Sequence, residues 1–177
     1  YTAILLYGDV AFQVRIRRGS FANEGLLYQW SAAMNGSTVA GAQGLCPTGW
    51  HIPTHDEWTT LERAVCTSGT CATDFPYDIT TSGWRGTDEG GKLKETGTTH
   101  WTSPNTGATN TSGFTGLPAG YRSIGGSFYN RTNTTYLWSS VESGGSAWIR
   151  TLNYTEARVS RSTNSKAYGF YVRCLKN

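Results

Sequence analysis

Charge is scarce in this chain. Twelve acidic and 15 basic side chains make up only 15% of its 177 residues. A disordered segment would carry more net charge and fewer aromatic residues, and a helical bundle would be rich in Ala, Leu, Glu and Lys, so both classes are excluded. The formal net charge of +3 is small and dispersed along the sequence. A nucleic-acid-binding face would gather its basic residues into one patch, so no nucleic acid is expected among the partners. Long apolar runs are missing as well. No stretch approaches the about 18 residues that a membrane-crossing helix needs. Tyr1 opens directly into a strand-like pattern, which leaves no room for a signal peptide and reads as a mature form or an excised domain. No repeat of fixed period appears, which argues against a propeller or a solenoid.

What is abundant is glycine and aromatic side chain: 22 Gly, 7 Trp and 10 Tyr. That balance points to short strands, tight turns and irregular loops around one core, and the length suits a single domain spanning residues 1–177. Cys46, Cys66, Cys71 and Cys174 admit three complete pairings. No second cysteine pair or histidine pair stands at zinc spacing, so disulfides and an oxidising compartment are the reading.

Along the chain, Val10, Phe12, Val14 and Ile16 alternate with Gln13, Arg15 and Arg17 after the run Ile4-Leu5-Leu6 and a Gly8-Asp9 turn signal. This pattern predicts an N-terminal hairpin over residues 1–25, its arginines on a solvated face. A short helix is expected within residues 27–34, ending before Gly36. A clearer helix starts at Thr54-His55-Asp56-Glu57, where Thr54 can accept from the Glu57 amide while the Glu57 carboxylate reaches back to the Thr54 amide. Trp58, Leu61 and Val65 then recur at helical spacing, and the helix stops near Cys66. Beyond Cys71 the chain breaks into short pieces in which Trp84, Trp101, Trp138 and Trp148 look like anchors for loops. Late strands are expected at 136–140, 147–152, 157–161 and 169–175.

No catalytic constellation accompanies these elements. His51, His55, Asp56 and Glu57 are the one cluster that suggests a metal, but the cap occupies Glu57, and the helix dipole favours Asp56 in the first turn. His55 reads as a surface residue, and neither a metal nor another cofactor is expected. No Gly-x-Ser-x-Gly nucleophile motif is present, and Asp88-Glu89 reads as a turn former in a glycine-rich loop. The chain is therefore not expected to be an enzyme.

Cys46-Pro47-Thr48-Gly49-Trp50-His51-Ile52-Pro53-Thr54, followed by Glu57-Trp58 and Leu61, resembles the signature of the Fibrobacter succinogenes major paralogous domain family. Further blocks follow in that family's order: Lys92-Leu93-Lys94, Trp101, Gly113-Phe114, Leu117-Pro118-Ala119-Gly120-Tyr121-Arg122, Gly126 with Phe128, Leu137-Trp138-Ser139-Ser140, Ala147-Trp148 and Gly169-Phe170-Tyr171-Val172-Arg173-Cys174. The match spans residues 26–177. It implies a bacterial secreted or surface protein, and an α+β fold similar to C-type lectins and the formylglycine-generating enzymes: small irregular antiparallel sheets, long loops, and paired N- and C-terminal strands. Within that picture Cys46 is expected to pair with Cys174 and Cys66 with Cys71, which joins the motif start to the last strand. Trp50 and Trp58 would pack against the late strands. The Glu-Pro-Asn, Gln-Pro-Asp and Trp-Asn-Asp tripeptides that supply calcium ligands in the sugar-binding branch are missing, so no calcium site carries over.

From Gly120 to Asn177, 26 of 58 residues are Ser, Thr, Asn or Tyr. Tyrosine offers large rigid contact area with a polar tip, and Ser and Asn offer adaptable hydrogen bonding, the composition of antibody paratopes. C-type-lectin-like domains similar to this family also serve as variable proteins of diversity-generating retroelements, whose adenine-directed mutagenesis yields Asn, Ser, Tyr and Thr near the C-terminus. On that resemblance, Tyr129, Asn130, Asn133, Tyr136, Asn153, Tyr154, Ser160, Ser162, Asn164 and Tyr168 are the candidate ligand-binding residues of an adhesin or receptor-binding module, pilus-tip or lipoprotein-attached. Its partner would be a protein or glycan on another cell or phage. The alternatives are a structural surface module without a ligand, and an enzyme like the formylglycine-generating group, which would need a free reactive cysteine.

Overall fold

A computed structural model describes the backbone of β1 (Ile4–Tyr7) and β2 (Val10–Gln13) and the whole of residues 25–177. β1 and β2 form the N-terminal hairpin, with Tyr7 opposite Val10. The faces expected for its side chains, the Gly8-Asp9 turn, and Val14, Arg15, Ile16 and Arg17 lie outside the described residues. There follow α1 (Trp30–Ala33), β3 (Trp50–His51), α2 (His55–Val65), α3 (Cys71–Asp74), β4 (Gly83–Arg85), α4 (Glu89–Leu93), β5 (Ala119–Arg122), β6 (Phe128–Arg131), β7 (Thr134–Ser143), β8 (Ser146–Asn153), β9 (Val159–Ser165) and β10 (Cys174–Lys176).

The architecture is α+β, with short helices and two sheets. One runs β1-β2-β10-β3, so the last strand sits between the hairpin and the motif strand. The other runs β4-β9-β8-β7-β5-β6, antiparallel except where Gly120 of β5 pairs with Thr135 of β7 in parallel. The expected strand at 169–175 is shorter than its pattern. Gly169, Phe170 and Tyr171 instead bridge singly to Arg122, Tyr28 and Leu137, and only the end joins the small sheet. β9 starts at Val159 and continues to Ser165, because its polar end still finds ladder partners on β8, Ser165 lying opposite Ser146.

α2 forms where its cap predicts. The Glu57 amide donates to the Thr54 hydroxyl at 3.2 Å, and the Thr54 amide donates to Glu57 Oε2 at 2.7 Å. The helix buries an apolar stripe, Trp58, Leu61 and Val65, and beside it a polar one, His55, Thr59 and Glu62, at i, i+4 and i+7. His55 is thus not the surface residue its first-turn position suggested; it is 1% exposed. Arg150 of β8 and Arg161 of β9 cross over it, with His55 Nδ1 lying 3.3 Å from an Arg150 nitrogen and Nε2 against Arg161. Asp56 stays exposed, as a dipole partner should.

Opposed residues of an antiparallel pair point to the same side of the sheet. Leu137, Arg150 and Arg161 therefore share the α2 side, and Trp138, Ile149 and Ser162 share the other. The core divides accordingly. Trp58, Leu61, Leu137, Leu152 and Val159 pack on the first side, and Trp30, Trp138, Ala147, Ile149 and Phe170 on the second. The indole N–H groups of Trp30, Trp58, Trp101 and Trp138 each donate to a distant backbone carbonyl. Trp84 departs from the expected anchor role: it sits on the edge strand β4 and is 37% exposed.

Cys46 is bonded to Cys174, and Cys66 to Cys71. Lys94 is buried, and its ammonium donates to the carbonyls of Thr106, Asn153 and Glu156 at 2.8 to 2.9 Å, which ties the long loop after α4 to the turn between β8 and β9. Glu89 accepts from the amides of Thr87 and Asp88, the turn role its glycine-rich surroundings suggested. No helix among the described residues is long and apolar enough to cross a membrane.

Candidate functional site

Five segments of the last third of the chain meet on the sheet side opposite α2. β5 brings Tyr121, β6 brings Asn130, β7 brings Tyr136, β9 brings Asn164, and the segment after β9 brings Tyr168 and Phe170; together they line a pocket of about 160 Å³. Gly120 makes the approach of β5 and β6 possible. Its φ is +68°, and a Cβ there would lie 2.0 Å from the Tyr129 carbonyl oxygen, so only glycine fits. Tyr121 then falls opposite Tyr129 in the hairpin register, and their rings stack with centroids 5.5 Å apart.

The rings form two walls. Tyr136 and Tyr168 lie 19° from the plane of Phe170, at centroid distances of 5.0 and 5.8 Å. Tyr121 stands at 81° to Tyr136 and 72° to Phe170. Phe170 is buried, and its backbone is held by reciprocal hydrogen bonds with Tyr28, so the floor is part of the core. Burial, and then the neighbouring phenols of Tyr136, Tyr168 and Tyr129, push the Tyr121 phenol up, so it stays protonated over the physiological range. The Asn130 amide donates to the Tyr136 hydroxyl at 3.3 Å. Asn164 accepts the Ser165 amide through its carbonyl oxygen at 2.9 Å, and its NH2 group has no hydrogen-bond partner among the described residues.

The ten candidate residues divide by position. Asn130, Tyr136, Asn164 and Tyr168 line the pocket, and Tyr129 borders it through Tyr121. Ser160 and Ser162 share the pocket's side of the sheet, since Ser160 lies opposite Thr151, which lies opposite Tyr136, but they do not line it. Asn133, Asn153 and Tyr154 stand at the far end of β7 and β8. The Asn133 carbonyl accepts the Tyr154 amide, and the Asn153 side chain accepts from Thr155 and donates to Thr134. Tyr154 packs against the α2-side core. Sequence reasoning missed Tyr121 and Phe170 as pocket residues. Both stood inside family blocks read as scaffold, and only the β5–β6 register and the bridge of Phe170 to Tyr28 show what they face.

The fold divides the cluster that had suggested a metal. His51 contacts Glu57 at 2.9 Å and Asn177 at 2.6 Å, while His55 turns inward. His100 pairs with Glu95 at 2.8 Å.

The model of the Fibrobacter succinogenes major domain family matches residues 10–176 of the chain. That span begins before the blocks read from the sequence and takes in the second hairpin strand, the one that pairs with β10. No curated protein matches the chain, and no solved structure does.

Proposed function

The chain belongs to the Fibrobacter succinogenes major domain family, and from that membership together with the tyrosine pocket we propose that it is an extracellular ligand-binding domain of a bacterial surface protein. The convergence of Tyr121, Asn130, Tyr136, Asn164 and Tyr168 on one opening carries this reading. Tyrosines and asparagines supply contact area and hydrogen bonds at little cost in conformational entropy, and the stacking on Phe170 pre-orders two of the rings. The ligand is a protein or glycan on another cell or phage. Two disulfides fit an oxidising compartment outside the cytoplasm.

A C-type-lectin-like fold is the architecture that fits this function. The pairing of β2 with β10, the disulfide from the motif segment to the last strand, and the loop-rich stretch between α4 and β5 support it. Retroelement diversification extends the same reading. Asn130, Tyr136, Asn164 and Tyr168, with Tyr129 beside them, reach one surface while Trp138, Ile149 and Val159 stay buried between them, so side chains at those positions could vary without disturbing the core. Neighbouring DNA holding an imperfect copy of the 3′ coding region, differing only at adenines, would support that extension; an intact neighbourhood without such a copy would remove it.

The binding proposal is tested by exposing the full chain to an oligosaccharide array and a displayed peptide library. At least one probe should be retained, and Tyr129→Ser and Asn164→Ala should each weaken it by about tenfold. Retention that neither substitution alters would move the site elsewhere.

A further inference from the structure

The pocket combines two features that together narrow the chemistry of its ligand. The first is its corner of aromatic rings: Tyr136 and Tyr168 stacked on the buried Phe170 on one side, and Tyr121 standing across them on the other. At about 160 Å³ it has room for one ring-sized group, well below the roughly 300–1,000 Å³ that drug-sized ligands occupy. The second is its polar lining. Among the described residues no group bonds the hydroxyls of Tyr121, Tyr129 and Tyr168, and the Asn164 NH2 group is uncommitted. No charged side chain among the described residues lines the opening.

We propose that this pocket takes one neutral pyranose ring of a glycan, bound without a metal ion. This rests on the ligand-binding reading above and names the ligand class of the same site. Ring faces carry partial negative charge, and the C–H groups on one side of a pyranose carry partial positive charge, so the sugar can lie against an aromatic wall. Its hydroxyls each donate and accept, as do phenols and carboxamides, so the rim can satisfy them pairwise. A quaternary ammonium also suits an aromatic cage. Its methyl shell, however, would strip water from the phenols and the Asn164 amide without replacing those hydrogen bonds, which disfavours it. An anionic sugar or a phosphate would meet no cation in the lining. With no carboxylate there either, the lining lacks the anionic oxygen ligands that hold a calcium ion.

The test is saturation-transfer NMR on the full chain in EDTA. The probes are the methyl pyranosides of glucose, galactose, mannose and N-acetylglucosamine, with N-acetylneuraminic acid and tetramethylammonium run in parallel. At least one neutral pyranoside should bind, with a Kd on the order of 1 mM for a single ring, and transfer should be strongest at its ring C–H protons. Tyr168→Ala should weaken it by about tenfold or more. Because Tyr168 also packs on Phe170, Asn164→Ala provides a second variant that leaves the ring stack intact and should stay folded while binding weakens. Tyr168→Phe, which keeps the wall, should retain more affinity than Tyr168→Ala. Binding of tetramethylammonium with no neutral pyranoside would overturn the ligand class, as would sugar binding that EDTA abolishes or that neither pocket variant alters. If peptides are retained through Tyr129 and Asn164 while no sugar binds, the ligand class alone fails. If no probe of any kind is retained, the recognition reading fails with it.

Discussion

Arg150 and Arg161 stand directly opposite one another on β8 and β9, and both side chains are buried. Glu62 supplies a carboxylate bonded to Arg150, and the ring of His55 presents one nitrogen to each arginine. A third positive charge there would be strongly unfavourable. Burial first, then Arg150 and Arg161, lowers the His55 pKa from 6.5 to about 3.

The sign of the resulting pH dependence follows from proton counting. Between about pH 3 and 6.5 the unfolded chain binds a proton at His55 that the folded chain does not, so stability rises with pH across that window. The contribution is complete above about pH 6.5 and is lost as pH falls toward 3. Chemical denaturation between about pH 6.5 and 5 should show a loss of up to about 1.4 kcal/mol per pH unit in the parent chain. His55→Gln should show a shallower slope there, and equal slopes would contradict the assignment.

Lys94 donates to three backbone carbonyls from a fully buried position. Lys94→Met would leave the Thr106 and Glu156 carbonyls without a donor, while the Asn153 carbonyl keeps the Glu156 amide, and urea denaturation should show a loss of at least about 2 kcal/mol. Lys94→Arg should not restore it, because a planar fork cannot direct donors to three carbonyls grouped around one nitrogen. Full rescue by arginine would count against this geometry.

The two disulfides close loops of very different length, with separations of 128 and 5 residues. On chain entropy, removing Cys46–Cys174 by double alanine substitution should cost about 5 kcal/mol, and removing Cys66–Cys71 about 2. Thermal unfolding of the two variants should preserve that order; the reverse order would point to native-state strain in place of loop closure.

Tyr129 and Tyr154 looked alike in sequence, and the structure separates them. Tyr129 is 49% exposed, while Tyr154 packs against the core beside α2. Tyr129→Ser should stay within about 0.5 kcal/mol of the parent. Tyr154→Ser should cost more than about 1 kcal/mol, since it removes packed aromatic area. Equal melting temperatures for the two would show that Tyr154 is not part of the core.

Local signals were legible where local physics decides the outcome. The Thr54–Glu57 cap places the start of α2, and the alternation around Val10 places a hairpin strand. Long-range pairing was not legible. His55 looked like a surface residue because its burial depends on arginines 95 and 106 residues away, brought there by two strands. The same limit applies to the pocket: Tyr121 enters it only through the hairpin register set by Gly120, and Tyr154 leaves it because it turns to the other side of the sheet. Composition singled out the last third of the chain, which supplies the whole pocket lining, but could not say which side of a strand each tyrosine faces.

The most direct test of the central claim is NMR of the full chain carrying 13C-labelled tyrosine, recorded as a retained oligosaccharide or peptide is added. The account predicts shifts of the ring signals of Tyr121, Tyr129, Tyr136 and Tyr168, while those of Tyr77, Tyr154 and Tyr171, which do not line the pocket, stay in place. Shifts confined to Tyr77, Tyr154 or Tyr171, with the pocket tyrosines unmoved, would contradict it.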